Sequence, residues 1–292
     1  PPASSGGITI AGILNQLENI DLGSLNYHSA QHIHYVTEAE RRVYADRAEF
    51  IGDMDFVSVP IEKLTSDKYA LSRWNTIDSL NASLSTDILH GDLSIPYFES
   101  EETTHYSVVD KWGNAVSVTT TVNGWFGNGI VVDGAGFLLN NEMDDFSSKP
   151  GIPNKYGLVG NKANAIEAGK RMLSSMSPTI VEDAKGDLLL VVGSPGGSTI
   201  ITTTAQVIMN VIDFGMNIED AVESPRFHHQ WLPDVIQFEK SGFSTETINS
   251  LSKRGHDYKF RQSIGEANCI QVNGMMIYGS ADSRRGASAI AY

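Results

Sequence analysis

Hydrophobic residues recur at helical spacing through the first part of the chain. The segment GITIAGILNQLENI follows a capping turn at SSGG. A second segment, HSAQHIHYVTEAERRVYADRAEFIGD, places Ile33, Val36 and Ala39 on one side and ends at a glycine. Residues 83–102 lose this periodicity and gain Ser, Gly, Pro and acidic residues. The pattern predicts a helical part over residues 1–82, followed by an exposed linker of the kind that proteases or self-processing reactions cut.

From residue 103 onward, the helical spacing gives way to the alternation that is typical of β-strands. Thr103 begins the first strand, and Lys111-Trp112-Gly113 fits a three-residue hairpin loop with glycine in the left-handed position. In the register that this loop imposes, Thr103 lies directly opposite Thr121, near enough for their hydroxyl groups to meet. The pattern therefore predicts a pair of threonines at the open end of a hairpin.

The second strand of this hairpin has one apolar and one polar face. Ser117, Thr119, Thr121 and Asn123 share the polar face, and mostly valines share the other. This alternation predicts a half-buried strand. Threonine is a favoured strand residue, so a buried threonine ladder without catalytic chemistry is the simplest interpretation of the polar face taken alone.

Later segments add further strands and a helix. TIVEDAKGDLLLVV predicts a hairpin, and STIITTTAQVIMNVIDFG predicts a helix with Ile201, Ala205, Ile208 and Ile212 near one face and Gly215 beyond its end. Between them, GSPGGS predicts a tight turn, and the absence of a following Gly-Lys-Ser/Thr excludes a Walker loop. The mixed order of helices and strands indicates an α+β fold.

Composition narrows the possible functions of this 292-residue chain. Its 35 acidic and 21 basic residues give a formal charge of -14, which opposes binding to nucleic acid. Its longest apolar runs fall far short of the roughly 20 residues that a membrane-spanning helix requires. The single cysteine, Cys269, excludes an intrachain disulfide and a multi-cysteine zinc site. No motif indicates a cofactor.

Thr103 stands out chemically because it directly follows the predicted linker. A threonine hydroxyl group is a poor nucleophile without a base, and the free α-amine of an N-terminal threonine can serve as that base. Cleavage of the bond between Glu102 and Thr103 would create such an amine, with a reference pKa of about 7.7 to 8.0. We therefore interpret Thr103 as a candidate nucleophile that cleavage of the chain activates.

Five runs of residues together resemble the γ-glutamyltranspeptidase family of N-terminal-nucleophile hydrolases. They are TTHYSVVDKWGNAVSVTTTVN, GFLLNNEMDDFSSKPG, KRMLSSMSPTI, GSPGGS and SPRFHHQWLPD, and the similarity extends over nearly the whole chain. The resemblance implies a four-layer αββα sandwich that matures by self-cleavage. Residues 1–102 would be the C-terminal part of a large subunit, residues 103–292 would be the small catalytic subunit, and the two would form a heterodimer.

The resemblance also implies where the protein acts. The sequence begins PPASSGG, without an initiator methionine or a targeting segment. We therefore expect it to lack the N-terminal part of the precursor. Members of the family are usually periplasmic or secreted, and the same location is expected here.

Catalytic roles follow from the resemblance, residue by residue. Thr103 would be the nucleophile, and Thr121 would orient its hydroxyl group. The backbone N–H groups of Gly196 and Gly197 would hold the oxyanion that develops when an amide is attacked. Without the resemblance, the two glycines indicate only a tight turn.

The resemblance further assigns residues to the α-ammonium end of a substrate. Asn123, Glu142 and Asp145 would bind this end, since a carboxylate forms strong charge-assisted contacts with an ammonium group. Without the resemblance, the run NNEMDD is an acidic solvated turn at a strand-to-loop transition. It lacks the spaced oxygen ligands and turn glycine of an EF-hand loop, so no calcium site is predicted.

The opposite end of the substrate is assigned in the same way. Ser174 and Ser175 would bind the α-carboxylate, and Tyr156 would lie at the tip of a lid loop over the pocket. His228 and His229 are adjacent, so on a strand they point to opposite faces and are poorly suited to share a metal ion. No metal is therefore predicted, and both histidines are expected to pack beside Trp231.

The implied reaction moves a γ-glutamyl group from glutathione or a similar γ-glutamyl compound through an acyl-threonine intermediate. Water or an amino-acid or dipeptide acceptor would take the group. Two alternatives stay open. Related acylases or depolymerases of poly-γ-glutamate would keep Thr103 and the two glycines, and a processed chain could instead be a binding module without catalysis.

Overall fold

The computed structural model describes residues 4–89, 103–149, 151–154 and 157–291. The chain divides into two compact units. The first comprises residues 1–99, 143–174 and 225–262, and the second comprises residues 100–142, 175–224 and 263–292. The predicted division into subunits at residues 102 and 103 concerns covalent processing and stays a prediction.

The first unit contains helices and a small mixed sheet. Its helices are α1 (Gly6–Leu17), α2 (Ala30–Phe50), α3 (Ile61–Leu64), α4 (Asp67–Trp74) and α7 (Thr245–Lys253). Its sheet contains β5 (Phe227–His228), β6 (Ile236–Glu239) and β7 (Tyr258–Arg261), with β6 antiparallel to β5 and parallel to β7. Across the described ranges, the chain has no helix with the length and apolar content needed to span a membrane.

Helix α2 confirms the predicted helical period and shows that its other sides are buried too. The three apolar residues predicted to share one side are fully buried. Elsewhere on the helix, the buried carboxylate of Glu38 accepts hydrogen bonds from Arg42 (2.6 Å) and Arg41 (3.2 Å). Because the Glu38 carboxylate has two guanidinium groups of the same helix beside it, these three charges tolerate burial.

The predicted exposed linker departs from expectation at Ser85, which is fully buried. Its N–H group donates to Asp234 Oδ2 (2.7 Å), and its carbonyl oxygen accepts from Trp231 Nε1 (2.8 Å). These partners lie far away in the sequence, so the local composition did not reveal them. Residues 90–102 of the predicted linker lie outside the described residues.

The second unit begins with the predicted hairpin, formed by β1 (Thr103–Val109) and β2 (Ala115–Thr121). The strands are antiparallel, and their register pairs Thr103 with Thr121, which confirms the prediction. Gly113 takes a φ of 85°, the left-handed conformation expected for this loop.

A second sheet in the same unit packs against this hairpin. Its strands, in the spatial order β3, β4, β8 and β9, are β3 (Thr179–Glu182), β4 (Leu188–Val192), β8 (Asn268–Asn273) and β9 (Met276–Ala281). All neighbours are antiparallel. Leu190, Val191 and Val192 are consecutive and all fully buried. Successive strand residues point to opposite faces, so both faces of β4 are covered.

The second unit also contains helices α5 (Ile200–Ile212) and α6 (Ile218–Glu223). Helix α5 packs against β4, and α6 packs against β8 and β9. Helix α5 confirms the predicted helix, and nearly all of its residues are buried. Ile212 is the last residue of the helix and is half exposed. Gly215 follows with a φ of 65°.

The polar face of the hairpin is the face that packs against the second sheet. Ser107 Oγ donates to the carbonyl oxygen of Asn268 (2.8 Å), and Ser117 Oγ donates to that of Val192 (3.1 Å). On the other face, Val116 is 49% exposed. The alternation in the sequence predicted a half-buried strand, and the structure shows that the hydroxyl-bearing side is the buried one.

His105 lies in the middle of this polar face. Its Nδ1 atom is 2.9 Å from Thr119 Oγ1, and its Nε2 atom is 3.2 Å from Ser107 Oγ. Since the Ser107 hydroxyl group donates its proton to Asn268, its oxygen accepts from Nε2–H, and Nδ1 accepts from Thr119. Burial lowers the pKa of His105 to about 4, so the ring is neutral in the folded protein near neutral pH.

We expect His105 to make the folded protein sensitive to acid. Between its ordinary pKa of 6.5 and its folded pKa of about 4, the unfolded chain binds a proton that the folded chain does not. The free energy of unfolding therefore falls as the pH is lowered through this window. His105→Gln should reduce the slope of this free energy against pH by up to about 1.4 kcal/mol per pH unit. Urea unfolding at several pH values measures both slopes, and equal slopes would contradict the assignment.

Candidate active site

Two threonine hydroxyl groups meet at the open end of the β1–β2 hairpin. Thr103 Oγ1 lies 3.5 Å from Thr121 Oγ1, a long hydrogen bond in which Thr103 donates. The Thr121 oxygen also accepts a 2.8 Å hydrogen bond from the N–H group of Asn123. The chain just after β2 thus orients Thr121, and the Thr103 hydroxyl group faces an oriented acceptor.

Asn123 forms the turn that ends β2. Its φ of 69° is a left-handed conformation that asparagine tolerates better than most residues. The side chain is 2% exposed, and its Nδ2 atom donates to the carbonyl oxygen of Asn141 (3.1 Å). This turn therefore carries the polar face of β2 toward the segment that precedes Glu142.

Asn141 is a positioning residue that sequence reasoning missed. Its Oδ1 atom accepts from the N–H group of Gly124 (2.8 Å), and its own N–H group donates to the carbonyl oxygen of Val122 (3.1 Å). Together with the bond from Asn123, these contacts tie the two segments to each other. The only local signal was an Asn-Asn pair beside the acidic run, which indicates no particular partner.

The packing of β1 on the second sheet sets the position of Thr103. Ser107 Oγ lies 3.4 Å from the carbonyl oxygen of Val191. The ring of His105 lies against Gly193, where an added Cβ atom would be 2.3 Å from ring atom Cε1. Thus Ser107 lies beside Val191, and His105, two residues earlier in β1, lies beside Gly193, two residues later in the chain. Thr103 lies on the same face of β1 as His105, two residues nearer the open end of the hairpin, and the glycine-rich turn follows Gly193 in the chain.

Gly196 and Gly197 in this turn adopt backbone conformations that favour glycine, with φ values of 135° and 55°. A Cβ atom on Gly196 would lie 2.5 Å from Thr199 Oγ1. The Gly196 carbonyl oxygen accepts from the N–H group and the hydroxyl group of Thr199 (2.9 and 2.8 Å), which holds the turn. Within the described part of the chain, neither glycine N–H group donates to a protein acceptor. Consecutive N–H groups of this kind suit an anion.

The acidic run forms a 3-10 turn (Glu142–Asp145). The prediction that it directly follows a strand is wrong. Among the described residues just before it, β-pairing is limited to one isolated bridge between Val131 and Leu138. Gly134 and Gly136, between these two residues, have positive φ values and form turns. The N–H group of Glu142 donates to Asn140 Oδ1 (3.0 Å). Partial burial raises the pKa of the Glu142 carboxyl group.

Ser174 and Ser175 are nearly buried, with 7% and 8% of their surface exposed. The carbonyl oxygen of Ser174 accepts from the N–H group and the hydroxyl group of Ser5 (2.9 and 2.7 Å). The Ser5 oxygen in turn accepts from Arg47 Nε (2.8 Å). Ser5 makes no side-chain capping bond to α1, so the predicted capping turn instead holds Ser174 in place.

The predicted site residues are divided between the two units. Asp145 and Ser174 belong to the first unit, and the second contains Thr103, Thr121, Asn123, Glu142, Ser175, Gly196 and Gly197. Within the second unit, the structure brings Thr103, Thr121 and Asn123 together. Tyr156 lies outside the described residues.

One group of possible metal ligands lies among the described residues, in the first unit. Single ligand atoms of His34, Glu38 and His256 lie within 4.8 Å of one another. These atoms already have partners, since His34 Nδ1 is 2.8 Å from His256 Nε2 and the Glu38 carboxylate binds Arg41 and Arg42. Two adjacent guanidinium groups disfavour a further cation. The contacts are those of a buried structural network.

His228 and His229 are fully buried, and each has its own partner. His228 Nε2 lies 2.7 Å from Gln230 Oε1, and His229 Nε2 lies 3.2 Å from Asp234 Oδ1. The N–H group of Trp231 donates to His229 Nδ1 (3.2 Å). Burial lowers the pKa of the two histidines to about 3 and about 4, respectively, so both are neutral. The bond between His229 and Trp231 agrees with the predicted packing, and packing of His228 beside Trp231 stays a prediction.

Comparison with known proteins places these residues in a family. Residues 1–292 match the family model described as Gamma-glutamyltranspeptidase. The chain is 52% identical over 285 residues to the glutathione hydrolase proenzyme of Escherichia coli. This match covers 97% of this chain and 48% of that protein. It is 35% identical over 274 residues to the acylase ACY 1 proenzyme of a Pseudomonas species. That match covers 94% of this chain and 46% of that protein.

A solved structure extends this similarity to three dimensions. A threonine-to-alanine mutant of gamma-glutamyltranspeptidase from Helicobacter pylori matches with a TM-score of 0.60 and 59% sequence identity, over 62% of this chain and 99% of that chain. The chain spans about half the length of the curated relatives that it matches. Since the family model covers all of its residues, including every candidate position, the chain belongs to the gamma-glutamyltranspeptidase family.

Proposed function

We propose that the protein containing this chain hydrolyses glutathione and transfers γ-glutamyl groups to amino-acid or dipeptide acceptors. The observation that carries the proposal is the position of Thr103, the first residue of β1. Its hydroxyl group faces that of Thr121, and His105, two residues along β1, lies against Gly193 at the start of the glycine-rich turn. Membership of the gamma-glutamyltranspeptidase family supports the same reaction.

The first half of the reaction acylates Thr103. Autocatalytic cleavage between Glu102 and Thr103 frees an α-amine, which accepts the hydroxyl proton near neutral pH. Thr103 Oγ1 then bonds to the γ-carbonyl carbon of glutathione, and the N–H groups of Gly196 and Gly197 stabilise the resulting oxyanion. The carbon–nitrogen bond breaks, cysteinylglycine leaves with the proton held by the α-ammonium group, and a γ-glutamyl ester stays on Thr103.

The second half releases the γ-glutamyl group. Water attacks the ester to give glutamate, or the amine of an acceptor attacks it to give a new γ-glutamyl amide. The α-amine takes a proton from the attacking group and returns it to Thr103 Oγ1 as the ester bond breaks. Throughout, Thr121 orients the Thr103 oxygen, because the Asn123 N–H group holds the Thr121 oxygen in place.

The free amino-acid end of the substrate has a binding group for each charge. Asn123, Glu142 and Asp145 bind the α-ammonium group, and Ser174 and Ser175 bind the α-carboxylate. Partial burial raises the pKa of Glu142, and a substrate ammonium group beside it would favour the ionised carboxylate. No metal or cofactor has a step in this mechanism.

We propose that the complete protein is larger than this chain, which spans about half the length of its curated relatives. We propose that it is a four-layer αββα sandwich, formed by a heterodimer of large and small subunits and located in the periplasm or secreted. The two packed sheets of the second unit, with α5 and α6 against one of them, support this layering.

A related acylase or a poly-γ-glutamate depolymerase is the second candidate function, favoured by the similarity to an acylase proenzyme. A chromogenic γ-glutamyl anilide, assayed with and without glycylglycine, separates the possibilities. Anilide release that glycylglycine accelerates supports transfer. Cleavage of an acyl or polymeric substrate alone supports the second candidate, and no cleavage of any substrate indicates a binding module.

Thr103→Ala in the full-length protein should abolish both maturation and turnover. Without the hydroxyl group there is no nucleophile, so activity should fall at least about a thousandfold. Mass spectrometry should find one uncut chain, where the wild type gives two. Thr104→Ala, on the opposite exposed face of β1, is the matched control and should mature normally. A fully active, uncut Thr103→Ala protein would refute the proposal.

Thr121→Val removes one hydroxyl group and keeps the shape of the side chain. We expect kcat for the γ-glutamyl anilide to fall by about 10- to 100-fold, because the Thr103 hydroxyl group loses its oriented acceptor. The melting temperature should change little. Thr120→Val, at an exposed position on the opposite face of β2, provides the control. Unchanged kinetics in Thr121→Val would show that the Thr103–Thr121 contact has no catalytic role.

A further inference from the structure

We propose that Asn164 is a positioning residue that fixes the spacing between two segments that bind opposite ends of the substrate. Asn164 Nδ2 donates a 2.7 Å hydrogen bond to the carbonyl oxygen of Asp145, and its Oδ1 atom accepts a 3.0 Å bond from the N–H group of Leu173. Leu173 directly precedes Ser174. The inference rests on the proposed function, in which Asp145 binds the α-ammonium group and Ser174 binds the α-carboxylate.

Both ends of the Asn164 amide are engaged in a buried setting. The residue is 5% exposed. Its main-chain carbonyl oxygen also accepts a hydrogen bond from the N–H group of Ser147 (2.9 Å). A side-chain amide donates on one side and accepts on the other, so it can join a carbonyl oxygen to an N–H group. Aspartate at this position would keep the acceptor and lose the donor.

The turn that carries Asn164 (Lys162–Asn164) is anchored to the end of helix α2. Just before the turn, the N–H group of Asn161 donates to the carbonyl oxygen of Ala48 (3.0 Å), and Asn161 Nδ2 donates to Glu49 Oε2 (2.6 Å). Gly52 lies so close that a Cβ atom there would be 2.2 Å from the carbonyl oxygen of Ala163. Asn164 therefore projects from a fixed support.

The segment leading to Ser174 has further anchors of its own. The side chain of Arg171 donates from Nε to Asp53 Oδ2 (2.9 Å), and its N–H group donates to the same oxygen (2.8 Å). At the other end, Ser5 holds the carbonyl oxygen of Ser174. These contacts fix the segment within the first unit, and the Asn164 side chain relates it to Asp145.

The chemistry of the substrate makes this spacing important. The α-ammonium and α-carboxylate groups are bonded to the same carbon atom, so the protein groups that bind them must keep one separation. A displacement of about 1 Å at such a site can reduce activity by about a hundredfold. Asn164 acts on the backbone of both binding segments and has no assigned contact with the substrate.

Asn164→Asp in the full-length protein tests the inference. The matched control is Asn19→Asp, which makes the same chemical change in the first unit, away from this turn. In that control, the Nδ2 bonds to the carbonyl oxygens of Asn15 and Gln16 are lost at the end of α1. Each protein is assayed with γ-glutamyl anilide and with glutaryl anilide, which lacks the α-ammonium group and keeps the carboxylate. Melting temperature and maturation are measured in parallel.

We expect Asn164→Asp to raise KM for γ-glutamyl anilide by about tenfold, while kcat changes by less than about threefold. The ratio of kcat/KM for the γ-glutamyl over the glutaryl substrate should fall by about tenfold, because the ammonium-binding segment is displaced. Asn19→Asp should leave KM and this ratio unchanged. A purely structural role would reduce the amount of active enzyme and would not move the ratio.

Different failures have different meanings. If the wild type cleaves γ-glutamyl anilide but Asn164→Asp has the wild-type KM and substrate ratio, the positioning role is wrong and the proposed function stands. If the wild type cleaves no γ-glutamyl compound, the proposed function fails and this inference with it. Asn164→Ala, which adds no charge, is the second variant. Failure of both Asn164 variants to fold, while Asn19→Asp folds, would assign Asn164 a folding role and overturn the proposal.

Discussion

The position of the candidate nucleophile depends on one constraint: a buried polar strand face must find a hydrogen-bond partner for each of its groups. On the hairpin, His105 and Ser107 bind each other, and Ser107 and Ser117 bind carbonyl oxygens of the second sheet. A shift of the hairpin would leave these groups unpaired in the interior, which is costly. Gly193 leaves the room that the imidazole ring needs. The position of Thr103 is thus set by residues that need not touch a substrate.

The first unit uses buried polar groups in a similar way. Arg47 is nearly fully buried and donates to Ser5, which in turn holds the carbonyl oxygen of Ser174. Asn164 joins the segments of Asp145 and Ser174 through one amide. A chain without regular secondary structure has no ladder to hold it, so side-chain bonds to its backbone replace the ladder. The proposed binding segments obtain their rigidity from these contacts.

Local patterns explain why much of the fold could be predicted. Residues on either side of a short hairpin loop are close in the sequence, so the loop length alone predicted the pairing of Thr103 with Thr121. The helical period likewise predicted α1, α2 and α5, because the spacing of apolar residues is intrinsic to a helix. Ser85 was predicted incorrectly, since its partners come from residues about 150 positions away. The catalytic and binding roles came from the family resemblance and not from periodicity.

By itself, the sequence determined the local elements, the register of the first hairpin and the family to which the chain belongs. Only the tertiary structure decided that the hydroxyl-bearing face of β2 is the buried one, because that choice depends on the carbonyl oxygens that a second sheet offers to Ser107 and Ser117. It also decided that Asn141 and Asn164 connect separate segments. A single amide in a loop has no periodic signal, and its partners are defined only when distant parts of the chain pack together.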